Sequence, residues 1–213
     1  MHDVGIYENL ILGIHFLLLK KCKIFDEKTI VRCYTGRSMR INVRKHERRG
    51  YQSIKMSNIL EKQFLKQRND FEKSCVERDK KYHFPQGVIF ETDIAYAKDK
   101  NKAHRLDRYR PKGKEAQILP VIINVHGGGL LLGNKEFNKY FCALLSKKGF
   151  LVYSMEYRLI PVCTFFDQLR DIFLAMDFVK EHAAADGGDL SHVYLVGDSG
   201  GACLATYANA IQN

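Results

Sequence analysis

The sequence predicts an α/β fold, with a mostly parallel sheet covered on both faces by helices. Three observations predict it. From residue 84 onward, short β-prone apolar runs alternate with stretches of helical period, the order that builds strand–helix–strand units. Val121–Val125 and Val193–Val196 are continuous apolar runs, as expected of strands buried on both faces. Each of these two runs ends in a glycine cluster, His126-Gly127-Gly128-Gly129 and Gly197-Asp198-Ser199-Gly200-Gly201.

The elements follow in order. Residues 6–20 read as an apolar helix. Residues 24–50 are basic and mixed and give no clear element. Residues 52–80 read as a long amphipathic helix, because Leu60, Phe64, Phe71 and Cys75 recur at helical spacing among lysines and arginines. Phe84-Pro85-Gln86-Gly87 breaks it. Val88–Tyr96 and Arg105–Arg110 are strand candidates separated by the polar turn Lys98–Lys102, and Pro111-Lys112-Gly113 closes the second. Val121–Val125 is the third strand, Asn138–Lys147 a helix ended by Gly149, and Phe150–Met155 the fourth strand. Phe166–His182 is an amphipathic helix carrying Leu169, Phe173, Met176 and Val179 on one face. Ala183–Ser191 reads as a loop rich in glycine and aspartate. Val193–Val196 is the fifth strand, and Ala202–Ile211 a helix. The expected division is a helical, basic segment over 1–83 and a sheet-bearing unit over 84–213.

The serine cluster carries the chemistry. A strand, a tight glycine turn around one serine and then a helix lift the hydroxyl out of the sheet onto a helix N-terminus, which favours developing negative charge. The plain alternative is a turn serine that only caps its helix. His126-Gly127-Gly128-Gly129 behind its own strand suits oxyanion-hole donors, since glycine lets the backbone approach a substrate closely. Its plain alternative is a flexible loop.

At these residues the chain resembles an α/β-hydrolase of the hormone-sensitive-lipase-like esterase/lipase family (the fold-3 type). The two clusters stand in the family's order, about 70 residues apart. Tyr157-Arg158-Leu159-Ile160-Pro161 between them is similar to the family's tyrosine–arginine–leucine–alanine–proline stretch, with Val162 where the family has glutamate. The resemblance covers residues 84–213. It implies Ser199 as nucleophile, and Gly128, Gly129 and Gly200 as oxyanion donors. It implies His126 and Gly127 as supports of the oxyanion loop, and Gly197, Asp198 and Gly201 as the shape of the serine turn. Arg158 and Asp171 resemble positions that stabilise the loop and helix after the fourth strand. Residues 1–83 stand where the family places a helical cap. The implied reaction is hydrolysis of a small-molecule carboxylic ester of short to medium acyl chain, with no metal or organic cofactor.

Gly-Asp-Ser-Gly-Gly also surrounds the nucleophile of chymotrypsin-like proteases. Those are all-β, and here Ala202-Cys203-Leu204-Ala205-Thr206 continues as helix, with no histidine in an Ala-Ala-His-Cys-like setting.

The α/β-hydrolase order is serine, then acid, then histidine. The 14 residues after Ser199 contain no Asp, Glu or His, and all eight histidines (His2, His15, His46, His83, His104, His126, His182 and His192) precede it. A substitute base among these is open in principle, because triads are defined by geometry. The expectation is a chain that stops after the nucleophile helix, lacking the last strands of the sheet with the acid and the base, and inactive or incomplete by itself. Its fifth strand would then be an exposed apolar edge open to self-association. The alternative function is a non-catalytic binding or interaction module with a basic surface.

The formal net charge of +10 is uneven: residues 1–117 carry 27 Lys and Arg against 15 Asp and Glu, and the remainder 7 against 9. A basic half suits an acidic membrane surface, a nucleic acid or simply solvent. No zinc-finger, helix-turn-helix or RNA-binding signature is present, so no nucleic-acid partner is expected. Cys22, Cys33, Cys75, Cys142, Cys163 and Cys203 are scattered without a C-x-x-C pair, which suits reduced thiols in the cytoplasm, with Cys142 and Cys203 expected on buried helix faces. The run Leu10–Leu19 falls short of the roughly 20 apolar residues of a membrane span and lacks a signal-peptide pattern. It is expected to pack as a helix on the protein or a partner. Peripheral membrane contact, and with it a membrane-associated location, is the alternative.

Overall fold

The structure, a computed structural model, describes residues 16–18 and 58–212. In chain order the elements are β1 (Phe16–Leu18), α1 (Asn58–Asp79), β2 (Val88–Ala95), β3 (Arg105–Pro111), β4 (Leu119–Val125), a 3-10 turn (Lys135–Asn138), α2 (Lys139–Lys147), β5 (Leu151–Met155), α3 (Phe165–His182), β6 (Gly188–Asp198) and α4 (Gly200–Gln212). The expected elements from residue 84 on are all present, within a few residues of their expected bounds. The expected helix over 52–80 is found as α1, with residues 52–57 outside the described residues.

The strands form one sheet in the order β1-β6-β4-β5-β3-β2. Its centre, β6, β4 and β5, is parallel. The pairs β5–β3, β3–β2 and β6–β1 are antiparallel, so the sheet is mixed rather than mostly parallel. The link from β2 to β3 is too short for the crossover of a dozen or more residues that parallel pairing needs, and the chain returns as a hairpin.

Continuous apolar sequence marks the buried centre. Every residue of β5 is buried, and all of β4 except Pro120, while most of β2 is exposed at the sheet edge. One face packs Val121, Ile123, Met155 and Leu195 against Leu169, Ile172 and Met176 of α3 and Leu204 and Ala208 of α4. The other packs Ile122, Val152 and Val196 against Cys142 and Ala143 of α2. Helix α3 starts at a capping box. Thr164 Oγ1 accepts from the Asp167 N–H at 3.2 Å, and the Asp167 carboxylate accepts from the Thr164 N–H at 2.8 Å. The Thr164 hydroxyl and N–H hold the Asp167 carboxyl below the ordinary range.

Helix α1 lies against the 3-10 turn and α2 through the face carrying Phe71, Arg78 and Asp79. The Phe71 and Phe137 rings are 5.1 Å apart, Arg78 lies over the Phe137 ring, and Asp79 pairs with Lys139.

Three further expectations are corrected. Strand β6 begins at Gly188, inside the expected loop, because its register shifts: Pro120 faces Asp189 but Val121 faces Val193. The intervening residues bulge around Asp189, whose carboxylate accepts from the Ser191 N–H at 2.9 Å and hydroxyl at 2.6 Å. The edge of β6 is not bare, since Phe16–Leu18 pair with Val196–Asp198. These three residues are strand rather than helix, since an apolar run without alternation does not separate the two; the remainder of the expected 6–20 helix lies outside the described residues, as does segment 24–50. Cys203 is exposed, on the outer side of α4, because Leu204, Ala205 and Ala208 take the buried side; Cys142 is buried as expected.

Candidate active site

Strand β6 ends at Asp198 and helix α4 begins at Gly200, so Ser199 alone makes the corner. Its φ is +47°, a left-handed conformation that a non-glycine residue adopts at a cost. Its side chain is exposed, and its carbonyl accepts the first helical hydrogen bond, from the Cys203 N–H at 3.1 Å. The corner is this sharp because its flanks are glycine. A Cβ on Gly201 would lie 2.1 Å from the Val125 carbonyl oxygen, and one on Gly197 would lie 2.5 Å from the Gly201 carbonyl carbon.

The glycine loop leaves the end of β4 beside this corner. Gly128, Gly129 and Leu130 have φ of +120°, +61° and +70°, three left-handed residues in succession. A Cβ on Gly128 would lie 2.1 Å from the Leu132 carbonyl oxygen, so the loop closes on itself there. The Cβ position of Gly200 lies 3.1 Å from the Gly129 nitrogen and 3.0 Å from the Leu130 nitrogen, bringing the loop's N–H groups and the first turn of α4 together.

Asp198 points away from the solvent face. Its Oδ1 accepts from the Gly127 N–H at 2.9 Å and from Asn138 Nδ2 at 2.8 Å, tying the serine turn to the start of the glycine loop.

His126 is fully buried and stacks on Tyr157, with ring centroids 4.3 Å apart. Its Nδ1 is 2.8 Å from the Gly127 carbonyl oxygen and its Nε2 3.1 Å from Glu156 Oε1. A carbonyl and a carboxylate only accept, so each contact calls for an N–H on the ring, which favours the imidazolium. Burial alone would lower its pKa, but the hydrogen bond and charge of Glu156 outweigh that and raise it. Both ring nitrogens face Gly127 and Glu156 rather than Ser199. The same Glu156 accepts from the Lys135 N–H at 3.0 Å, and Tyr157 donates to the His126 carbonyl at 2.8 Å.

Arg158 and Asp171 form a two-pronged ion pair, with contacts of 2.7 Å and 2.9 Å. His104 Nε2 reaches the same carboxylate at 3.1 Å, and its Nδ1 reaches Asp99 at 2.7 Å. Gln168 donates to the Leu130 and Arg158 carbonyls, each at 2.9 Å, bridging the glycine loop to the loop after β5. His182 bonds the Phe178 carbonyl and His192 bonds Asp189. The bonds of His104, His126, His182 and His192 go to groups other than Ser199, and among the described residues no cluster of His, Cys, Asp and Glu could hold a metal. No described helix is long and apolar enough to cross a membrane. A cleft lined by Arg108, Arg110 and Asp186 opens at the other end of β6. Its guanidinium groups are already bonded to Asp186, Glu91 and loop carbonyls.

Sequence reasoning missed Asn138, Glu156 and Gln168, and gave Tyr157, named in the Tyr157–Pro161 stretch, no role of its own. Glu156 and Tyr157 were within reach, since they directly follow a buried strand and precede Arg158. Asn138 carries no local signal.

The sequence model of the BD-FAE family matches residues 106–213. Over 105 residues the chain is 32% identical to isoprenylcysteine alpha-carbonyl methylesterase ICME of Arabidopsis thaliana, covering 49% of this chain and 24% of that protein. It is 31% identical over 100 residues to the amyloplastic tuliposide A-converting enzyme b1 of Tulipa gesneriana, covering 42% and 27%. Among solved structures, esterase B from Lactobacillus rhamnosis aligns with a TM-score of 0.63 at 30% identity, over 70% of this chain and 49% of that one. A bacterial heroin esterase aligns with a TM-score of 0.59 at 28% identity, over 66% and 44%. The chain thus spans about a quarter of the length of these curated relatives and about half of these solved chains.

Proposed function

The chain belongs to the BD-FAE family, and from that premise we propose that it is a serine carboxylic-ester hydrolase, or the nucleophile-bearing part of one. The observation that carries the reading is Ser199 at φ +47°, exposed on a one-residue corner, with the nitrogens of Gly129 and Leu130 within 3.1 Å of the Gly200 Cβ position. In this reading Ser199 Oγ attacks the ester carbonyl carbon while its proton passes to a base. The carbonyl oxygen becomes an oxyanion held by the N–H groups of Gly128, Gly129 and Gly200. Collapse of the tetrahedral intermediate expels the alcohol and leaves an acyl-serine, which water then hydrolyses. The relatives' names, a methylesterase and a tuliposide-converting enzyme, support a small carboxylic ester as substrate.

The base is the unassigned part. His126 is spent on Gly127 and Glu156, and no Asp, Glu or His follows Ser199. We therefore propose that the base is not His126, that neither acid nor base stands after Ser199 within these 213 residues, and that these residues by themselves turn over slowly or not at all. That observation also supports the second reading, a non-catalytic module that keeps the glycine loop and serine turn as structure. The division at residues 1–83 and 84–213 is proposed with this function, supported by the end of α1 before Phe84-Pro85. A cytoplasmic location is supported only by the scattered thiols, of which Cys75, Cys142, Cys163 and Cys203 are free. Membrane contact through the N-terminal segment, and self-association through the part of the β6 edge beyond β1, stand as proposals on sequence grounds.

Fluorophosphonate labelling with the adduct mapped by mass spectrometry tests the function, with Ser199→Ala as control. An adduct at Ser199 is the expected result once an acid and base are supplied, and an adduct on the 213 residues alone would place a base within them. Absence of label in folded protein that carries its acid and base would leave the module reading.

A further inference from the structure

Helix α1 reaches the glycine loop through Arg68. Arg68 lies on the helix's half-buried stripe between Phe64 and Phe71, and a charged residue in that register was the sequence signal for it. Its Nε donates to the Leu131 carbonyl at 2.9 Å, and its Nη2 donates to the Ile160 carbonyl at 2.6 Å. One guanidinium therefore joins two loops, the glycine loop after β4 and the loop after β5.

The loop it holds needs holding. Three successive left-handed residues, one of them Leu130, persist only where the surroundings fix them. From within, the turn is closed by the Leu131 and Leu132 N–H groups on the Gly128 carbonyl, at 3.2 Å and 2.9 Å. From the other loop, the Ile160 N–H donates to the Leu130 carbonyl at 3.0 Å. Arg68 grips the carbonyls of Leu131 and Ile160, two of the residues whose N–H groups make these bonds. A guanidinium presents two N–H donors in a fixed planar fork that matches the two carbonyls, whereas a lysine ammonium donates from a single point and fixes no such geometry.

We propose that Arg68 is a positioning residue for the oxyanion loop, and that α1 acts through it as a brace on that loop. The brace rests on the reading of Gly128 and Gly129 as oxyanion donors, and it gives a function to a segment to which the sequence assigned none beyond a possible cap.

Hydrogen exchange on the full chain tests the brace without relying on catalysis. Arg68→Met is expected to speed exchange of the Leu131, Leu132 and Ile160 amides about tenfold or more, with the β4 and β5 amides unchanged. Arg68→Lys, which keeps the charge but not the fork, is expected to fall between and guards against a variant that fails to fold. Unchanged exchange at the three amides, or a parallel rise across β4 and β5, overturns the brace. The second arm measures the fluorophosphonate labelling rate at Ser199. If the parent protein is labelled, Arg68→Met is expected to slow labelling about tenfold, with Arg68→Lys between. An unchanged labelling rate overturns the positioning role even if the loop loosens. If the parent is not labelled, which the lack of an assigned base already predicts for these residues alone, exchange alone decides the brace, and unchanged exchange at the three amides overturns it.

Discussion

Around Ser199 the backbone is shaped by the absence of side chains, whereas α1 is seated by long ones. The serine corner and glycine loop close to distances that leave no space for a Cβ at Gly201, Gly197 or Gly128. Helix α1 instead rests on a ring pair, Phe71 on Phe137, and on the reach of Arg68, Arg78 and Asp79. The first kind of contact is set by backbone sterics and gives way only if a strand moves. The second is made by side chains that can swing, so it is adjustable and worth less per residue. A site built at the junction has a rigid floor, in β4, β6 and the start of α4, and a tunable wall.

The sharpest way to break this contrast is Gly201→Ala. The new methyl would sit 2.1 Å from the Val125 carbonyl oxygen and 2.5 Å from that of His126, both backbone at the end of a buried strand. We expect a loss of at least about 3 kcal/mol of unfolding free energy. Urea denaturation measures it, and a loss below about 1 kcal/mol would mean that the corner has slack and the contrast is wrong.

Asp198→Ala comes next. It leaves the Gly127 N–H and the Asn138 amide without their buried acceptor. The expected cost is about 2–3 kcal/mol, with Asp198→Asn, which keeps an accepting oxygen, costing less. Equal costs for the two would show that the carboxylate charge, rather than the hydrogen bonds, holds the glycine loop.

A smaller effect is carried by His126. Its pKa is raised in the folded chain, so the folded state binds this proton more tightly than the unfolded one. The resulting stabilisation is whole below the unfolded value of about 6.5 and is lost as pH rises through the raised folded value. The stability gap between the parent and His126→Gln is therefore expected to be wider at pH 6 than at pH 9. A gap independent of pH across that range would mean that the ring is neutral, and would reopen it as a proton acceptor.

The same contrast explains what the sequence disclosed. Glycine at Gly197, Gly201 and Gly128 is a local signal with a steric cause, so the corner and the loop were legible in the order of residues alone. Continuous apolar runs marked β4 and β6 for the same reason. The bond of Asn138 to Asp198 spans 60 residues and that of Arg68 to Ile160 spans 92, and no local pattern encodes a partner that far away. The shift of register at Asp189 was hidden because glycine and aspartate read as a loop whether or not the strand resumes around them. The sheet's mixed direction depended on how the hairpin of β2 and β3 docks beside β5, a choice of tertiary packing that neither strand announces.

The mildest expected change is Phe71→Ala, and it sharpens the contrast from the side of α1. The ring is only half-buried and touches Phe137 on a short 3-10 turn, not the sheet. Removing it should cost about 1 kcal/mol, far less than truncating a ring in the core. The loss should be local. Amides of α1 should exchange faster, while those of β4, β5 and β6 keep their protection, because the sheet gains most of its burial from α2, α3 and α4. If the sheet loosened together with α1, the helix would be part of the rigid floor. The wall would then have no freedom with which to adjust the loop above Ser199.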